Sequence, residues 1–496
     1  MPFSENCGIL TIETEKEMVL MKKLLCIALC LALLSGCAAP AAPTTEPRAN
    51  EVQITLSDSA VEFPADSGIQ TTKEDIHTVV RITQPGTYRV SGSITAGQLA
   101  VDLGEDAAKD PNATVLLILD NAEIICRTGP AVLFQNVWES GVPNGLAGAH
   151  VLLAQGSKNR VVGVSTEEYD GAFYSRMSMK LDGAGSLRIE CGNEGLCSER
   201  HLTIDGGDIS ISSGNDGINA NADGESVITI NDGRLWIGVA GETGEGDGID
   251  SNGSVVINGG HIEAYACADS MDSGIDADLG IFLNGGTVIA TGNMLDRIED
   301  GGQTYTVFSF AERQKAPYFT LKDMYASTVI EGQTPSAFTN LLFSCPELSE
   351  GTYTLWSGET QYEGVTSVGG GGFAQLQPID RPEFPGKGDD GRVEIPPQPT
   401  QPIVTHGTAQ PPAEGDRPAD LPVAQFPQDG AENMPVPPMP PEGAENMPVP
   451  ELPEGATPPK EAFDRQPVEI ITGVLSTEFA VKEGGNYYTN VRAVEK

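Results

Sequence analysis

Leu202-Thr203-Ile204-Asp205-Gly206-Gly207-Asp208-Ile209-Ser210-Ile211, Ile228-Thr229-Ile230-Asn231-Asp232-Gly233-Arg234-Leu235-Trp236-Ile237 and Val255-Val256-Ile257-Asn258-Gly259-Gly260-His261-Ile262-Glu263-Ala264 are one pattern written three times. Each copy alternates apolar and polar residues, turns at a glycine, and alternates again. A period of two over so few residues is strand, because successive side chains of a strand point to opposite faces. The glycine marker recurs from Gly185 through Gly207, Gly233 and Gly260 to Gly286, at steps of 22, 26, 27 and 26 residues. A second marker alternates with it: Asp170-Gly171-Ala172, Glu194-Gly195-Leu196, Asp216-Gly217-Ile218, Asp247-Gly248-Ile249 and Ser273-Gly274-Ile275. A fixed period in this range signals a solenoid, and about three short strands per period give one coil of a parallel β-helix. One coil cannot bury its apolar face, whereas several stacked coils can. The expected fold class is therefore all-β: a right-handed parallel β-helix solenoid with a β-rich C-terminal cap and a long disordered Pro-rich insertion.

Outward from the repeat, residues 51–168 have the same texture without a clean period, as in Val52-Gln53-Ile54-Thr55-Leu56 and Val115 to Leu119, and read as irregular early coils plus a cap. After Asn293 the period stops, although strand-like runs such as Tyr353-Thr354-Leu355-Trp356 continue. From about Leu376 to Gln466 the composition turns to Pro, Glu and Gly, with a near-duplicate of Gly430-Ala431-Glu432-Asn433-Met434-Pro435 at Gly443-Ala444-Glu445-Asn446-Met447-Pro448. Such a stretch is expected to be disordered or polyproline-like. Strand character returns at Pro467, so the Pro-rich stretch reads as an insertion and the tail as strands that dock back.

At the other end, Met21-Lys22-Lys23 precedes an apolar run, Leu24 to Leu34, that ends in Leu34-Ser35-Gly36-Cys37. The run is too short to span a bilayer and has the layout of a secretory signal. It resembles a bacterial lipobox, which implies cleavage before Cys37 and lipidation of its thiol, with Met21 (or Met18) as the true start. The expected organisation is an upstream mis-start plus signal peptide over 1–36, a tether over 37–50, the β-helix over 51–292, the cap over 293–375, the insertion over 376–466 and closing strands over 467–496.

The 496 residues carry 29 Lys+Arg against 70 Asp+Glu, a formal net charge of −41. That balance excludes a nucleic-acid binder, which needs clustered Lys and Arg, and suits extracellular solubility and divalent cations. Of nine Cys, Cys126, Cys191, Cys197, Cys267 and Cys345 remain after the signal and Cys37 are set aside. They are scattered, show no CxxC or Cys/His spacing, and read as core filler rather than a disulfide framework or a zinc site.

Three sets of residues line up when the repeats are stacked. Asp205, Asn231, Asn258 and Asn284 share a turn position, where side-chain amides can hydrogen-bond from coil to coil. Asp216, Asp247 and Asp272, followed by Asn219, Asp250 and Asp276, bring carboxylates close together. That is unfavourable without a neutralising cation, and hard oxygen donors suit Ca²⁺; solvated Asp-Gly turns are the alternative. The third set faces outward: Arg188, Ser210, Trp236, Glu263 and Ile289, then Glu190, Ser212, Gly238, Tyr265 and Thr291. Trp236 and Tyr265 are candidate stacking platforms for sugar rings if that face is open, and ordinary covered surface if it is not.

Catalytic patterns are sparse. The five His are scattered and no GxSxG occurs. A calcium-dependent lyase needs a Lys or Arg base near the cation. The periodic region offers Arg176, Lys180, Arg188, Arg200 and Arg234, of which Arg234 alone falls in the Asp-rich coils.

Gly86-Thr87-Tyr88-Arg89-Val90-Ser91-Gly92, Val115-Leu116-Leu117-Ile118-Leu119-Asp120-Asn121-Ala122, the repeated Asp-Gly-Ile and Asn-Gly-Gly turns, and Glu478-Phe479-Ala480 with Asn486-Tyr487-Tyr488-Thr489-Asn490-Val491 together resemble a family of bacterial secreted or lipid-anchored carbohydrate-binding proteins. These are right-handed parallel β-helices akin in fold to calcium-dependent polysaccharide lyases. The resemblance spans roughly 51–375 and 467–496. It implies calcium in the helix, here at the Asp and Asn turns named above, and affinity for cellulose or pectin-like acidic glycans without established lyase activity. The expected function is a lipid-anchored protein on the extracellular face of the cell membrane, monomeric, binding acidic or plant cell-wall polysaccharide with calcium as cofactor. The alternatives are a calcium-dependent polysaccharide lyase and a structural adhesin with a protein partner.

Overall fold

The computed structural model describes residues 51–366 and 475–494, apart from 75, 242, 316 and 317. The lipobox with Cys37, the tether and the Pro-rich stretch 376–466 lie outside the described residues. Those described are all-β: strands and turns, with a single 3-10 turn at Ala107–Lys109 and no α-helix among them.

The repeat residues form three parallel ladders. In the first, Met179–Gly183, Leu202–Ile204, Val227–Ile230, Ser254–Ile257 and Gly280–Leu283 pair in succession, with Ile204 opposite Ile230, Ile230 opposite Ile257 and Ile257 opposite Leu283. The second runs Lys158–Gly163, Ser186–Cys191, Asp208–Ser213, Arg234–Val239, His261–Tyr265 and Thr287–Gly292. The third runs Val132–Asn136, Gly171–Ser175, Glu194–Ser198, Ile218–Ala220 and Ile249–Ser251. Within the regular repeats of the first two ladders the pairings join residues 22–27 apart, as Leu187 with Ile209 and Ile230 with Ile257, so the period read from the glycines is the hydrogen-bonding step of those sheets; the third ladder takes up longer loops, with Val132 opposite Phe173 and Ile218 opposite Ile249.

The inward positions of all three ladders meet in one core. Ile204, Ile230, Ile257, Ile211, Ile237, Ile218 and Ile249 are fully buried and belong to a single apolar cluster. Burying side chains of this size contributes about 1.5–3 kcal/mol each, before the entropy of ordering is set against it. At the turn after the first ladder, Asn231 Nδ2 donates to Asp205 Oδ1 (2.7 Å), Asn258 Nδ2 to Asn231 Oδ1 (2.8 Å) and Asn284 Nδ2 to Asn258 Oδ1 (2.8 Å). This amide ladder satisfies side-chain groups from one repeat to the next. The five described cysteines are free thiols.

The N-terminal strands extend the ladders. Glu51–Leu56 pairs in parallel with Gly86–Ile94, which pairs with Val115–Ile125. An antiparallel pair, Ile69–Glu74 with His77–Ile82, begins the third ladder's sheet. At the other end the parallel run stops where Thr287–Gly292 meets Phe338–Ser344 antiparallel. From there Tyr305–Gln314, Tyr318–Asp323, Thr328–Gln333, Gly351–Ser357 and Thr360–Thr366 build mixed sheet around a second, aromatic core. The tail enters this body: Phe479–Val481 pairs with Gly351–Ser357, and Gly485–Ala493 lies between Tyr305–Gln314 and Thr360–Thr366.

The aromatic core also contains Tyr265 and Ile289 from the second ladder, with Trp236 packed against it. This corrects the expectation of an open sugar platform at Tyr265. Tyr265 is fully buried, and its hydroxyl donates to Glu263 Oε2 at 2.7 Å. Alternation fixes which way these side chains point. It carries no information about a second sheet, remote in sequence, that lies over that face. Trp236 is half-buried at the edge of the covered part.

Candidate metal centre

The third ladder sets the acidic residues in columns. Ile218 opposite Ile249, and Ile249 bridged to Ile275, place Asn219, Asp250 and Asp276 in one column. Three residues earlier in register come Glu194, Asp216, Asp247 and Ser273. The stacking read from the Asp-Gly markers therefore needs one adjustment: Ser273, not Asp272, follows Asp247. Asp272 sits one residue off and accepts hydrogen bonds from Gly246 N and Ser270 Oγ, both 2.5 Å, which pin the turn before Asp247.

The six expected ligands separate by what their oxygens already do. Asp216 is committed on both sides: Oδ1 accepts from Asp247 N (2.7 Å) and Oδ2 from Asn219 Nδ2 (3.2 Å). Asp247 Oδ1 accepts from Ser273 N at 2.6 Å. Asp247, Asp250 and Asp276 converge, each offering a carboxylate oxygen within 4.8 Å of the others'. Asn219 Nδ2 also donates to Glu194 Oε1 (3.0 Å), while Asn219 Oδ1 and Glu194 Oε2 are buried without a hydrogen-bond partner among the described residues.

The electrostatics are those of an uncompensated acidic site. Burial first, then the charge of Asp276, pushes the Asp247 carboxyl up to about 9. Burial, then Asp216 and Asp276, takes Asp250 to about 8. Burial, then Asp296 and Asp278, takes Asp276 to about 7. In the adjoining column burial raises Asp216 to about 6 and Glu194 to about 7. No Arg or Lys appears among the charged neighbours acting on the three convergent carboxyls. Clustered buried carboxylates stay neutral unless a cation takes the place of the protons. The donor set, hard oxygens with two further buried oxygens unsatisfied in the same and the adjoining column, fits Ca²⁺ or a similar hard cation.

Glu194 was not among the residues expected here. Its signal was present in the sequence: it precedes Gly195 as Asp216 precedes Gly217. Asp296 was hidden because it arrives from beyond the last repeat, where its Oδ2 accepts from Ala277 N at 2.9 Å.

Residues 76–314, just under half of the chain, match the model of a family described as carbohydrate-binding domain-containing protein. A carbohydrate-binding domain-containing protein of Acetivibrio thermocellus is 27% identical over 141 residues, 27% of this chain and 44% of the relative. The chain thus spans less than half the length of that relative. Among solved structures, a polysaccharide lyase-like protein from C. thermocellum, determined as a gadolinium derivative, shares 21% identity over 47% of this chain and 83% of its own, with a TM-score of 0.35. The family match supports carbohydrate binding as the class of function.

Proposed function

We propose that this protein binds acidic or plant cell-wall polysaccharide, with Ca²⁺ held in the third ladder, and performs no catalysis. The family match over 76–314 supports the carbohydrate half of this reading. The convergence of Asp247, Asp250 and Asp276 carries the calcium half. In this reading the three ladders wind as a right-handed parallel β-helix, and lipidated Cys37 holds a monomer at the outer face of the cell membrane. Asp247, Asp250 and Asp276 hold the cation, Asn219 lends its buried amide oxygen, and Asp216 and Asp272 position backbone around it. The cation neutralises the column, and a uronate carboxylate can complete its coordination.

The test is retention of the full chain on polygalacturonate and on cellulose, each in calcium and in chelator. Retention on polygalacturonate that falls on chelation is expected. Release of unsaturated uronides would replace the reading with the lyase. Silence on both polymers, together with capture of a cell-surface protein, would replace it with the adhesin.

A further inference from the structure

The second ladder's outer face is covered from Trp236 onward but open before it, and the open part has a definite shape. Arg188, Ser210 and Trp236 are opposite one another on successive strands, as are Glu190, Ser212 and Gly238. Long side chains on Ser186–Cys191 and on Arg234–Val239 thus flank two serines on the strand between. The flanking strands are about 10 Å apart, two strand spacings. On the far side Trp236 reaches along its own strand and lies over Gly238, where a Cβ would stand 2.6 Å from the indole Cη2. The Ser210 and Ser212 hydroxyls have no hydrogen-bond partner among the described residues, and both side chains are half-buried.

The near wall is held in place. Glu190 receives Arg160 Nε at 2.9 Å and Arg188 Nε at 2.8 Å, while Arg160 Nη1 turns to Glu123 at 3.0 Å. Arg188 is therefore oriented by its ion pair with Glu190, its partner among the described residues, and its side chain is 59% exposed. A guanidinium fixed in this way presents a planar fork that matches a carboxylate bidentately. Between it and an indole edge, two free hydroxyls offer donors and acceptors to sugar hydroxyls.

We propose that this trough takes one uronate ring of the polysaccharide, its carboxylate on the Arg188 fork, its hydroxyls on Ser210 and Ser212, and Trp236 closing the far side. The inference rests on the polysaccharide reading above and adds to it a subsite on a different ladder from the acidic columns. Glu190 acts through Arg188 and is a positioning residue.

The experiment compares the full chain with Arg188→Gln and Ser212→Gln for affinity toward polygalacturonate and toward its methyl ester, all in calcium. Both substitutions fall on the outer face, and unchanged thermal melts establish that the fold is intact. Wild type is expected to prefer the free acid. Arg188→Gln is expected to lose about tenfold or more on the free acid and to bind both polymers alike, since a charged hydrogen-bonded pair is removed only there. Ser212→Gln, which fills the trough, is expected to weaken both. Wild-type affinity and an intact free-acid preference in Arg188→Gln would overturn this inference and leave the parent reading standing. Failure of wild type to bind either polymer would overturn both.

Discussion

Asp250 has no hydrogen bond among the described residues to spend its charge on, and two other carboxylates lie beside it. Its substitution should therefore act with opposite sign in the two states of the site. In chelator, Asp250→Asn removes a half-buried, repelled group and should raise the melting temperature by about 2 °C or more. In calcium the same change removes a ligand, and the calcium-induced gain in melting temperature should vanish. Paired thermal melts read both effects. Asp216→Asn should behave differently, because both Asp216 oxygens accept hydrogen bonds. Those bonds offset part of the cost of its burial, so in chelator any gain should be smaller than for Asp250→Asn, measured by denaturant unfolding.

At the scale of elements, the ladders depend on how closely neighbouring repeats approach. Gly217 has ordinary backbone angles, but a Cβ there would stand 2.1 Å from Ile237 Cγ2 and 2.6 Å from Gly248 O. Gly217→Ala should lower stability by about 1–3 kcal/mol in urea unfolding, as overpacking does. The same change at Gly224, φ +65° with open space around it, meets only the left-handed backbone penalty of about 1 kcal/mol. The Asp-Gly marker was legible as a repeat, while its reading as a turn pair was only half the physics: the glycine serves contact with the core strand of the next repeat. The columns of Asn219, Asp250 and Asp276 were legible because parallel register preserves sequence offset. The cover over Tyr265 was not, since long-range antiparallel pairing leaves no period to read. The tail gives a further expectation at this scale. Gly485–Ala493 is hydrogen-bonded on both sides, so a chain cut within 376–466 should keep its C-terminal fragment on a native sizing column and lose it only on denaturation.

For the whole molecule, a net charge of −41 makes cation binding and stability one question. Asp247, Asp250 and Asp276 ordinarily ionise near 3.8 and are raised in the fold to about 9, 8 and 7. The folded chain then holds more protons than the unfolded chain between those limits. Stability in chelator is accordingly full below about pH 4 for these groups and should fall as pH rises toward 9. Calcium, by taking the place of the protons, should flatten or reverse that slope, and melts across pH 5–9 with and without the ion will show it. At this scale the central question is whether cation and glycan act together. Calorimetric titration of galacturonate oligomers into the full chain, in calcium and again in chelator, tests this most directly. Saturable binding is expected in calcium, weakening about tenfold or more in chelator; a titration without binding heat in calcium would show that cation and glycan do not act together.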